Sequence, residues 1–241
     1  MNSKEVNLQK KFVKVFVVGD PGTGKSIFAS TFPTPAYLLN FDNTEISYAG
    51  RDFEYENFDT SPKGWIQSEK EIKMLCKLAK EDKPFPYKTV VLDSTTSWTD
   101  LAMERSLQLD PKRSPTGGPL WNVHYGMVKN LVEGYIRKLL ELPCNFVLIG
   151  HMDRILDSDT GALLSIVPML TGQLSIKVPS YFDEVYYTDT RKRNGNTQFI
   201  LRTIPSGYLK ARSRLSGKKR LLPDIMENDY NKLLSYLQNI K

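Results

Sequence analysis

The sequence predicts an α/β fold, a mainly parallel central sheet flanked by helices and extended at one edge by an antiparallel hairpin. Three observations carry the prediction. Short apolar runs alternate with helical patterns up to residue 151, as in parallel sheets with both faces covered. A glycine-rich turn, Gly19 to Ser26, divides the first apolar run from the first helical pattern. Late in the chain the alternation stops, and two strand-like runs flank Asn194-Gly195, a strong hairpin-turn pair.

Each element has its own justification. "FVKVFVV" (12–18) is β-branched and aromatic and stops at a glycine, so it reads as a buried strand. A short helix follows from Ser26 to about Phe32 and must end before Pro33 and Pro35. "AYLLNF" (36–41) is a second strand. Ile72, Leu75, Cys76 and Ala79 share one helical face, which predicts an amphipathic helix over 66–81. "YKTVVLDS" (87–94) is a third strand, and helical stretches follow over 97–109 and 121–142. Between them "DPKRSPTGGPL" (110–120) is a loop by its Pro and Gly content. "CNFVLIGH" (144–151) is a fourth strand, residues 153–167 read as a further loop, and "NDYNKLLSYLQNI" is a closing amphipathic helix. The expected organisation is an arm over 1–11, one core over 12–226 and a C-terminal helix over 227–241.

Composition narrows the function classes. The 241 residues are 40% hydrophobic and 25% charged, as in an ordinary globule, with no apolar run long enough to span a bilayer. Two cysteines and two histidines argue against a disulfide framework or a zinc site, and the start lacks a secretory h-region. The expected location is a reducing cytoplasm, with no membrane partner. A net charge of +6 favours an anionic partner. Much of it gathers in "YLKARSRLSGKKR" (208–220), which holds no acid.

Gly19, Asp20, Pro21, Gly22, Thr23, Gly24, Lys25 and Ser26 spell G-x-x-x-x-G-K-S, with a strand before and a helix after. Glycines let the backbone turn its N–H groups inward as an anion nest at a helix N-terminus, where Ile27 completes the first turn. Lys25 suits the β- and γ-phosphates, and the Ser26 hydroxyl suits Mg²⁺. A second acid is expected on an adjacent strand, and Asp93 closes the apolar run "TVVLD". "LIGHMDRI" lacks the N/T-K-x-D signature of guanine readers, so ATP is the expected nucleotide. Ser94, Thr95 and Thr96 follow Asp93 where many ATPases place Glu, so the acid that activates water must come from elsewhere. Asp42 and Glu45, at the end of the second strand, stand on the carboxyl edge where ligands of open sheets bind. The longer arm of Glu45 makes it the first choice.

The acids after the second strand, together with "VVLDSTTSW", resemble the RecA-like P-loop ATPases. "GH", "PMLTG" (168–172), "FDEV" and a late basic K-x-R resemble above all the short phage-encoded RecA-like ATPases of recombination and single-strand annealing, an AAA-type nucleotide-binding group. The likeness runs over about 12–225 by order of motifs, and the spacing of "FDNTE" is one residue wider than the family's. It implies ATP hydrolysis with Mg²⁺, a ring or filament of copies with ATP between them, single-stranded DNA as partner, and a role for a single-stranded DNA-binding protein. It also implies that Glu45 orients the attacking water, that His151 senses the γ-phosphate, and that Lys210 and Arg212 reach a neighbour's ATP. Loops 110–120 and 153–167 would face the DNA. Lys112, Arg113 and Arg154 lie there without stacking aromatics, and Trp65, Trp98 and Trp121 read as packing residues. Two rivals share the P-loop: a small-molecule or nucleotide kinase, and an ATP-gated DNA-binding scaffold that does not hydrolyse.

Overall fold

A computed structural model describes residues 12–214 and 222–238; the arm over 1–11 and the basic residues Lys218, Lys219 and Arg220 lie outside them. The predicted class holds. Six mutually parallel strands form the body of a nine-stranded sheet: β8 (Glu184–Arg193), β1 (Lys14–Val18), β5 (Asn145–Gly150), β4 (Thr89–Asp93), β2 (Ala36–Asn40) and β3 (Phe53–Asn57), in that order. β9 (Asn196–Arg202) folds back on β8, and β10 (Arg212–Ser213) and β11 (Ile225–Glu227) complete the antiparallel edge. Asn194 and Gly195, at φ 52 and 78, make the predicted turn.

Period-two alternation divides the core into two layers. Phe16, Val18, Val90, Leu92, Phe146 and Leu148 face α2 (Pro62–Leu78), α3 (Thr95–Leu109), α4 (His124–Leu140) and α5 (Leu174–Tyr181). Val15, Val17, Leu38, Val91, Val147 and Ile149 face α1 (Lys25–Ser30) and α6 (Tyr230–Gln238). Leu233 is fully buried, so α6 is part of the core layer rather than an appendage. Trp65 and Trp98 stack with centroids 5.3 Å apart, and the Trp98 indole N–H donates to Ser68 Oγ at 3.2 Å. The Thr34–Pro35 and Asp93–Ser94 peptides are cis.

Two expectations need correction. β4 is not the neighbour of β1, because β5 runs between them. Residues 153–167 are not a loop: β6 (Met152–Leu156) and β7 (Leu163–Pro168) pair as a hairpin that leaves the carboxyl edge of the sheet. Ile155, Leu156 and Leu164 are exposed, whereas Met152 and Ile166 pack against the core, so apolar and polar residues do not alternate cleanly along the hairpin. β3, whose "FEYEN" is largely exposed at the sheet edge, and α5 were not foreseen.

Candidate nucleotide site

The loop from Gly19 to Ser26 sits at the carboxyl end of β1. Gly24 adopts φ 91, and an added Cβ there would lie 2.6 Å from Asn228 Nδ2 and 2.8 Å from the Phe199 ring. A Cβ on Gly19 would lie 2.0 Å from Thr188 Oγ1. Both glycines are therefore demanded by close approach, from β8, β9 and the turn before α6. Thr23 Oγ1–H donates to Asp20 O at 2.7 Å, which closes the turn. Lys25 is nearly buried, and its Nζ donates to Gly19 O and Asp20 O, each at 2.9 Å. Burial lowers its pKa, opposed by the carboxylates of Asp93, Asp20 and Asp42.

Ser26 reaches Asp93 although their parent strands are not neighbours. α1 carries Ser26 over the end of β5, and its hydroxyl donates to Asp93 Oδ2 at 2.7 Å. Thr44 Oγ1 at 2.9 Å and Tyr48 Oη at 3.1 Å donate to the same oxygen. Burial raises the pKa of Asp93, and the hydroxyls offset part of that rise. The donors here are hard oxygens around one carboxylate, the set that Mg²⁺ prefers. The glycine cradle and Lys25 meet the needs of a phosphate, so the residues present fit an Mg²⁺-nucleotide.

A cavity of about 370 Å³ runs from the loop to Asp42, Thr44, His151 and Phe199. Asp42 Oδ1 accepts from Ser97 Oγ, and His151 Nε2 stands 3.4 Å from Asp42 Oδ2. Burial pushes the Asp42 pKa up, but the hydrogen bonds from His151 and Ser97 outweigh it and leave the carboxyl below its ordinary value. Glu45 does not line this cavity. It opens a short 3₁₀ turn, Glu45–Tyr48, and its Oε2 accepts from Asn40 Nδ2 at 2.8 Å. The structure thus brings together the loop, Ser26, Asp93, Asp42 and His151, and sets Glu45 apart.

The basic pair separates as well. Arg212 Nη2 donates to the carbonyls of Pro179 and Phe182, the latter at 2.7 Å, and so caps the end of α5 from within the protein. It does not project beside Lys210, which is exposed on the segment before β10. Arg214 pairs with Asp183 at 3.2 Å. In the loop 110–120, buried His124 accepts from Leu120 N at 2.8 Å and its Nε2–H faces Asp110 O at 2.9 Å, so one ring holds both ends. Trp121 is 70% exposed with Tyr125 against it, unlike its two buried counterparts. Arg154, on β6, pairs with Asp20 of the phosphate loop at 2.6 Å.

Residue-by-residue reading missed Thr44, Tyr48, Ser97, Thr188, Phe199 and Asn228. The hydroxyls of Thr44 and Ser97 follow the two expected acids within two to four positions, which is a usable signal. Nothing local marks Phe199 or Asn228, both far along the chain from Gly24. Among the described residues no helix is long and apolar enough to cross a membrane, and no cluster of three or more His, Cys, Asp or Glu side chains could hold a metal by itself.

Comparison with known proteins agrees with this geometry. No curated protein matches the chain. A protein-family model described as an AAA domain matches residues 11–215, which spans the phosphate loop, Asp93 and the whole parallel sheet. The chain therefore belongs to the AAA-type family of P-loop ATPases, whose members use a nucleotide and typically Mg²⁺.

Proposed function

We propose that the protein hydrolyses ATP and couples the cleavage to a single-stranded DNA bound along the carboxyl edge of its sheet, in recombination, annealing or repair. The observation that carries the reading is the 2.7 Å contact between Ser26 and Asp93 beside a cavity that also holds Asp42 and His151. A phosphate cradle, a metal-binding oxygen pair and an ionised acid thus share one space. The loop N–H groups and Lys25 grip the phosphates, and Ser26 with Asp93 holds the metal. Ser26 and Asp93 would hold an Mg²⁺ beside the phosphates, where it would supply positive charge against the charge that builds up on cleavage. Asp42, held by Ser97 and faced by His151, orients the attacking water in place of Glu45. Phe199 offers an apolar face to the base, beside a neighbouring cavity of about 380 Å³ that Asn228 also lines.

The DNA reading is supported by what surrounds the loop 110–120. Lys112 and Arg113 lie on a segment rich in glycine, and Trp121 presents a ring on which a base can stack. Arg154 links the adjacent hairpin to the phosphate loop, a route by which bound DNA would alter hydrolysis. Lys210, exposed, is the candidate to reach a neighbouring copy's phosphates, whereas Arg212 is committed to α5.

Phosphate release measured with and without an oligothymidylate tests the proposal. Stimulation by the oligonucleotide, lost in Lys25→Ala, is the expected result. Turnover indifferent to DNA, or appearance of a phosphorylated small molecule, would overturn it in favour of a kinase. Nucleotide binding with no turnover would favour the scaffold.

A further inference from the structure

Two further cavities lie at opposite ends of α2, the second bordering the phosphate cleft through Ser97, which holds Asp42. Past its C-terminal end a groove of about 670 Å³ opens toward the last turn of α4. Lys73, Lys77, Lys80 and Lys138 line it against Glu141, over a floor that includes Leu142 and Pro143. Among the described residues Lys77 and Lys80 form no ion pair. At the N-terminal end of α2 a notch of about 360 Å³ carries Asp59, Asp100 and Glu104 over Phe41, Phe58 and Leu101. Asp100 and Glu104 are exposed and likewise form no ion pair among the described residues. Partial burial, then the nearby carboxylates of Asp42 and Glu104, hold Asp100 above the ordinary value.

We propose that the lysine groove of one copy docks onto the acidic notch of the next. The inference rests on the reading that copies assemble, and it names the surfaces. Opposite charge and an apolar floor recur at both places, and complementary potentials guide and orient association. The 17 residues of α2 span about 25 Å, which sets the two surfaces apart along the molecule. A nucleic acid would account for the groove alone and would be repelled by the notch; a second copy accounts for both. Because the two surfaces differ, the contact is head-to-tail and propagates as a filament or closes as a ring.

Sedimentation velocity over a concentration series at low salt tests this, with fluorescent ATP titrated into the same samples. Wild-type protein is expected to associate, and added salt to reverse it. Lys77→Glu/Lys138→Glu and Asp100→Lys/Glu104→Lys are each expected to remain monomeric, and an equimolar mixture of the two to associate again. All four positions are exposed, so the fold should survive, which circular dichroism checks. The milder Lys77→Gln/Lys138→Gln should weaken association without abolishing it. Both charge-reversed variants associating like wild type, or a mixture that stays monomeric, would sink the interface while leaving assembly intact. Wild-type protein that never associates sinks assembly itself, and the ATP titration reports separately on the nucleotide site.

Discussion

Replacing Asp42 by Ala removes a carboxylate that lines the phosphate cleft, that Ser97 holds at Oδ1, and that His151 faces at 3.4 Å. The depressed pKa keeps it ionised at neutral pH, so it can accept a hydrogen bond from the attacking water and orient it. A positioned general base contributes about 10²- to 10⁴-fold, which is roughly 3–5 kcal/mol at about 1.4 kcal/mol per decade. Turnover at saturating ATP should fall by that factor while ATP affinity changes little, because the cradle and Lys25 are untouched. Ser97→Ala loses one hydrogen bond to a charged group, about 1.5–3 kcal/mol as an upper bound, so its turnover should fall by about 10- to 100-fold. Glu45→Ala gives up an acceptor for Asn40 and nothing in the cleft, so its turnover should stay close to wild type. Steady-state phosphate release alongside equilibrium ATP binding reads all three. If Glu45→Ala loses as much turnover as Asp42→Ala, the assignment is refuted.

Other predictions concern the frame and its coupling. Gly19→Ala forces a methyl against Thr188 Oγ1 and Thr23 Oγ1 and should cost about 1–3 kcal/mol in urea unfolding, with Thr188→Ala in the same chain restoring part of the loss. Lys14 donates to Leu142 O at 2.7 Å, and burial brings its pKa down to about 8. Below that pH it is charged in both states and the burial cost is full. Above it the folded state releases its proton first, the unfolded chain binds more protons, and stability rises with pH, by a total of about 3 kcal/mol at most. Cys144 beside it, raised to about 11 by burial, contributes the opposite slope above pH 9, so the rise should show between pH 8 and 9 and be absent in Lys14→Met. Equal slopes in both proteins would contradict this. Arg154→Ala cuts the tie between the β6–β7 hairpin and Asp20, and it should lower the DNA-stimulated rate more than the basal one. Loss of both rates in equal proportion would show that the ion pair only supports the loop.

Strands β1, β2, β4 and β5 were legible because both faces are buried, so their sequences are continuous apolar runs. β3 escaped because an edge strand buries little, and β6 and β7 because Ile155, Leu156 and Leu164 face solvent and break the alternation. Spacing does not encode strand order, which is why Asp93 was expected on a strand next to β1 when β5 intervenes. The loop itself was legible because a phosphate cradle needs glycine, lysine and serine at fixed offsets. The choice between Asp42 and Glu45 was not legible. Side-chain reach favoured Glu45, but the 3₁₀ turn ties it to Asn40 and leaves the shorter acid in the cleft. Phe199 and Asn228 contact Gly24 only because the hairpin and the turn before α6 fold back over α1, a long-range result with no local sequence mark.

The central claim is that an adenine nucleotide sits in the cradle with its metal between Ser26 and Asp93. Titration of fluorescent ATP into wild type, Lys25→Ala and Asp93→Asn, with and without Mg²⁺, tests it most directly. Saturable binding that weakens sharply in Lys25→Ala, together with an Mg²⁺ dependence that disappears in Asp93→Asn, is the predicted result. Equal affinity in all three proteins, or none in the wild type, would contradict it.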